Sequence, residues 1–101
     1  MQPVIKLLRP HEWAQFHADG HFAGSPDDLR DGYIHLSTPD QVAPTAAKWF
    51  AGVEGLMALT LDADALAPLK WEPARGGVLF PHLYRPLLLG DVLDAAPFAA
   101  G

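Results

Sequence analysis

At 101 residues the chain is long enough for one domain, and it has no cysteine, so disulfides and thiolate metal sites are excluded. Seven Lys and Arg against 12 Asp and Glu give a formal charge of −5, which opposes a nucleic-acid partner and the basic footprint it needs. No apolar run approaches the roughly 18 residues of a membrane span, and MQPVIKLLRPHEW carries no secretion signature; the cytoplasm is the expected location and no membrane partner is expected.

The first element is a short strand, VIKLL at 4–8. Pro10 then opens a helix, because its missing N–H falls where a helical N–H has no partner. Trp13 and Phe16 recur at helical spacing, and Asp19-Gly20 is a stop signal. Residues 21–32 are rich in Gly, Ser, Pro and Asp and read as a loop. YIHLS at 33–37 alternates: Ile34 and Leu36 point one way, and Tyr33, His35 and Ser37 the other. Thr38-Pro39-Asp40-Gln41 fits a capping box, with Thr38 as N-cap and Gln41 reaching back. Val42, Thr45, Ala46, Trp49, Phe50 and Val53 carry the helical period onward, with Trp13 and Trp49 expected in the core. Pro44 is expected to kink or delay this helix.

GLMALTL at 55–61 reads as a buried strand, and LKWE at 69–72 as a short one. PARGG at 73–77 is a turn with Arg75 at its tip. VLFPHLY at 78–84 puts Phe80, His82 and Tyr84 on one face, while Pro81 predicts an edge or irregular strand. PLLLGDVL at 86–93 reads as one last strand with Gly90 as a bend, followed by an uninformative tail, DAAPFAAG. Five or six short strands and two main helices, not regularly interleaved, indicate an α+β fold.

Two histidines in extended segments are each followed two residues later by a hydroxyl: His35/Ser37 and His82/Tyr84. The period of two puts each hydroxyl on its histidine's face, so neighbouring strands would gather four polar groups on one surface. Imidazole serves as acid, base or donor near neutral pH. Ser37 and Thr38 lie at a helix start, where free N–H groups favour an anion. Glu72 reads either as a catalytic carboxylate or as a solvated residue paired with Arg75. Arg75, between Pro-Ala and Gly-Gly, suits a phosphate or carboxylate, and equally an exposed turn. Tyr33, Trp71 and Phe80 supply aromatic surface beside these groups. A metal-dependent hydrolase using His35 and His82, with Glu72 as a third ligand, is an alternative without the close His spacing such sites favour.

At DGYIHLST, KWEPARGG and FPHLYRPL the sequence resembles the bacterial family called domain of unknown function 952, over nearly the whole chain. The resemblance implies an ADP-ribosyltransferase-like fold: two small bent sheets, with helices at the sides and a central cleft that holds NAD in the active enzymes. His35 and Ser37 then fall where NAD-contacting side chains lie. VIKLL supplies Lys6 where those enzymes carry Arg or His, and FPHLY supplies His82 and Tyr84 where they carry Glu. The expectation is a nucleotide-like ligand, with NAD as the candidate cofactor and ribosyl or phosphoryl transfer as the reaction class. His35 would polarise the ligand, His82 would act as acid or base, and Arg75 would hold an anionic group. The alternative is a non-catalytic domain whose aromatic face receives a peptide, a protein or a second copy; the oligomeric state is left open.

Overall fold

The computed structural model describes residues 1–98, leaving aside the side chain of Arg75. In chain order the elements are β1 (Pro3–Leu8), α1 (Pro10–Asp19), β2 (His21–Phe22), α2 (Pro26–Asp31), β3 (Ile34–His35), α3 (Pro39–Trp49), β4 (Met57–Asp62), β5 (Leu69–Pro73), β6 (Leu79–Leu83), β7 (Leu87–Leu88) and β8 (Val92–Pro97). The strands form antiparallel sheets in the orders β1-β4-β8, β3-β6-β5 and β2-β7. The fold is therefore α+β, with three helices. No helix among the described residues is long and apolar enough to cross a membrane.

β1 is buried on both faces. Val4 and Leu8 enter the main core with Phe16, Leu59, Leu61 and Leu83, while Leu7 packs with Ala46 and Leu56 beneath α3. Lys6 lies between Val4 and Leu8 on the core-facing side and is itself buried. α1 begins as expected: Pro10 is at its first position and Glu12 accepts the Arg9 N–H at 2.9 Å. It stops at Gly20, whose φ of 81° is the left-handed conformation that glycine adopts without cost.

Residues 21–32, expected as loop, contain β2 and α2 instead. Ser25 is an N-cap whose Oγ accepts the Asp28 N–H at 3.2 Å, and the Asp28 carboxylate accepts the Ser25 N–H at 2.9 Å. Pro26 sits at the first helical position and Gly32 ends the helix. Ser-Pro-Asp-Asp thus does the same local work as Thr-Pro-Asp-Gln at 38–41, where Thr38 Oγ1 accepts the Gln41 N–H at 3.3 Å.

α3 continues through Pro44, which removes one helical hydrogen bond without ending the helix. Trp13 packs on the core, but Trp49 is 61% exposed and is not a core residue. The segment 86–93 is two strands in different sheets. Asp91 accepts the Leu88 N–H at 2.8 Å and pairs with Arg85 through two bonds, which fixes a tight turn between β7 and β8. β8 extends into the tail to Pro97; the last three residues lie outside the described ones.

Pro81 does not place its strand at an edge: β6 is the central strand of β3-β6-β5. In an antiparallel pair a residue's N and O face the same neighbour. The Pro81 carbonyl accepts the Leu36 N–H at 3.1 Å, so its missing N–H also faces the β3 side. β3 has ended there, and one ladder bond is all that is lost. Beyond Leu36 the chain changes partner: Ser37 exchanges backbone hydrogen bonds with Ile5 of β1, at 2.7 and 2.9 Å. The residues at 34–37 therefore join the two three-stranded sheets.

Candidate functional site

His35 and His82 are directly opposite in the β3–β6 register. Leu36 makes the adjacent ladder bond to Pro81, so the histidine pair is the non-hydrogen-bonded kind in which side chains approach more closely. The imidazole centroids are 5.7 Å apart, edge to face. Tyr33, two residues before His35, stacks on His82 at 3.9 Å and lies 5.4 Å from the Tyr84 ring.

Glu72 reaches the same face because it pairs with Phe80, two residues from His82. One oxygen, Oε1, accepts from both His82 Nδ1 at 2.9 Å and the Tyr84 hydroxyl at 2.5 Å. These donors, Tyr84 first and His82 second, hold the Glu72 carboxyl below its ordinary range. The same bond to Glu72 pushes the Tyr84 phenol up to about 12. Glu72 thus bridges His82 and Tyr84. The arrangement fixes His82 with Nδ1–H directed at the carboxylate and leaves Nε2 as the nitrogen available for other partners.

His35 is held differently. Its Nδ1 lies 2.6 Å from Asp28 Oδ1 and its Nε2 lies 3.0 Å from Asp31 Oδ2. Asp28, whose side chain is 1% exposed, also accepts from Lys6 Nζ at 2.9 Å and the His35 N–H at 3.1 Å. Burial raises the Asp28 carboxyl, but the His35 bond, the Lys6 charge and the Ser25 N–H outweigh it and hold it well below the carboxylate range. Lys6 also donates to the His35 carbonyl at 3.1 Å, tying β1 to β3.

These groups border a cleft of about 880 Å3, the size of a small-molecule site. Tyr33, His35, Ser37, Phe80 and His82 line it. Ser37 is buried, with its hydroxyl 3.4 Å from Thr45 Oγ1. Glu72 touches His82, and Tyr84 touches Glu72 and Tyr33, without lining the cleft. The Thr38 hydroxyl is engaged as the α3 cap. Trp71 pairs with Pro81 and so lies on the opposite sheet face from His82. The expected role of Arg75 falls on a side chain outside the described residues. No group of three or more His, Asp or Glu among the described residues is arranged to hold a metal ion, and His35, His82 and Glu72 do not form such a set.

Asp28 and Asp31 line the same cleft and lie outside the sequence expectation, whereas Lys6, expected at the first-strand position, also lines it. The signal for Asp28 was present as Ser25-Pro26-Asp27-Asp28, a helix start that aims a carboxylate back along the chain. Lys6 stands out by its burial, since a lysine in a strand ordinarily faces water.

The crystal structure of protein CC0527 from Caulobacter crescentus is similar, with a TM-score of 0.90 and 49% identity, over 94% of this chain and 84% of that one. The solution NMR structure of CC0527 gives a TM-score of 0.85 and 49% identity, over 96% of this chain and 84% of that one. No curated protein matches the sequence. The family pattern described as "Protein of unknown function (DUF952)" matches residues 7–95, and the chain belongs to that family.

Proposed function

We propose that the cleft binds a nucleotide-like ligand, with NAD the leading candidate, and that His82 is its acid–base group. The observation that carries this reading is the His82 setting. Glu72 holds Nδ1, Tyr33 stacks on the ring, and the residue lines a cleft large enough for such a ligand. The resemblance to the ADP-ribosyltransferase superfamily inferred from the sequence is the reason for naming NAD, which those enzymes hold in a cleft between two bent sheets. In ribosyl transfer, His82 Nε2 takes the proton of an acceptor hydroxyl as its oxygen bonds to the ribose C1′. The C1′–N bond breaks, and nicotinamide leaves neutral with the bonding pair. Glu72 stabilises the imidazolium that forms. His35, with both nitrogens engaged by Asp28 and Asp31, contributes position rather than proton transfer.

An amide-resolved NMR titration with NAD, ADP-ribose and nicotinamide tests the reading. Saturable shifts at 33–38 and 80–84, lost in His82→Ala, are expected. No shift at millimolar ligand would sink it and would move peptide or protein binding to first place.

A further inference from the structure

We infer that Arg9 and Lys48 form an anion site at one end of this cleft, and that the occupant is an organic phosphate joined to a flat aromatic ring. The inference rests on the binding role just proposed and adds the chemistry of its ligand. The cleft gathers four of the chain's seven Lys and Arg: Lys6, Arg9, Arg30 and Lys48. It gathers only four of the twelve Asp and Glu. An acidic protein has thus placed most of its cations around one concavity.

The acids there are mostly neutralised. Asp28 is bound by Lys6 and His35. Asp27 and Asp31 pair with Arg30 at 3.2 and 3.0 Å. Asp40 sits in the first turn of α3, beside the positive end of the helix.

Arg9 and Lys48 are different. Arg9 reaches Glu12 at only 3.6 Å, through an oxygen that already accepts the Arg9 N–H. Lys48 is in no ion pair among the described residues. Each cation instead lies against an aromatic ring at the C-terminal end of α3. The Arg9 guanidinium is 4.7 Å from the Phe50 centroid, and Lys48 Nζ is 5.1 Å from that of Trp49. A ring face orients a cation without neutralising it, so both stay available to an anion. Arg9 comes from the junction of β1 and α1, and Lys48 from the last turn of α3, so two elements each bring one cation to the cleft. A phosphate held there leaves the rest of the cleft, with Phe80 and the Tyr33–His82 stack, for a flat ring. A fork-shaped guanidinium beside an ammonium suits phosphate oxygens.

The test is NMR titration of the full chain with ADP, adenosine and pyrophosphate, repeated on Lys48→Gln and Arg9→Gln. Lys48 is exposed, so K48Q keeps the fold even if R9Q does not. Expected is ADP binding that weakens about tenfold for each cation removed, and that falls with added salt, while adenosine binding is unchanged. Pyrophosphate shifts confined to residues near Arg9 and Lys48 would also support the anion site, even if adenosine failed to bind. Equal affinities for ADP and adenosine, both unaffected by K48Q, would overturn the anion site and leave the cleft reading standing. Silence from all three probes would overturn both.

Discussion

His35 and His82 face one another across β3 and β6, yet their hydrogen-bonding states are opposite. Both nitrogens of His35 meet carboxylates, from Asp28 and Asp31. His82 meets one carboxylate, through Nδ1, and keeps Nε2 for the cleft it lines. Two similar residues on neighbouring strands thus acquire different hydrogen-bond partners from the elements behind them: α2 stands behind His35, and β5 behind His82.

The Lys6–Asp28 pair is the first target for mutation. Asp28→Ala leaves a buried ammonium without its carboxylate and should lower unfolding free energy by about 3–5 kcal/mol. Urea unfolding measures this directly. The double variant Lys6→Met/Asp28→Leu should recover part of the loss, because replacing both charges removes the desolvation cost. A loss for Asp28→Ala within about 0.5 kcal/mol, the usual range of a surface change, would mean that Lys6 reaches water instead.

The same carboxyl makes a prediction about pH. Its folded-state value is depressed below the ordinary 3.8. A depressed acid contributes stability that is fully present above the unfolded value and is lost as pH falls through the folded one. The stability gap between the wild type and Asp28→Asn should therefore stay level above about pH 5 and narrow below about pH 4. A gap that widens on acidification would contradict the assigned sign.

Tyr84 reports on Glu72. Its phenol is raised to about 12, chiefly by the hydrogen bond it donates to Glu72. Glu72→Gln removes the negative charge and should return Tyr84 toward its ordinary 10.0. Tyr33, raised first by burial, should move much less. Ring NMR shifts followed through alkaline pH separate the two tyrosines. An unchanged Tyr84 midpoint in Glu72→Gln would place the cause elsewhere.

Ser25 and Thr38 allow a matched comparison of caps. Each accepts the N–H three residues on, at 3.2 and 3.3 Å. Ser25→Ala and Thr38→Ala should each cost about 1 kcal/mol in thermal or urea unfolding. Ser25→Ala should also perturb the His35 ring resonances, because α2 carries Asp28 and Asp31, whereas Thr38→Ala should leave them in place.

The local signals in the sequence were strong where one residue type does one job. The Thr38 cap, the Pro10 helix start, the Gly20 stop and the alternation of Tyr33, His35 and Ser37 each follow from backbone chemistry within a few residues. α2 was equally local and was passed over, because Gly, Ser, Pro and Asp also compose loops and its run of six residues carries no apolar stripe. Pro81 is tolerated in a central strand for a different reason: its missing N–H costs a single bond to Leu36, just where the chain leaves β3 for β1. Trp49 has the helical spacing of a core residue, but α3 turns that position toward the cleft mouth and water.

By itself the sequence determined which side chains share a face of a strand and where two helices begin, because these depend on periods of 2 and 3.6 residues and on caps reaching three positions. It placed His35 with Tyr33, and His82 with Tyr84, in that way. Only the tertiary structure decided that the two faces are one, that Lys6 is buried against Asp28, and that Glu72 holds His82. Those contacts join residues 10 to 47 positions apart, and their register is set by how three sheets share a core, which no local pattern encodes.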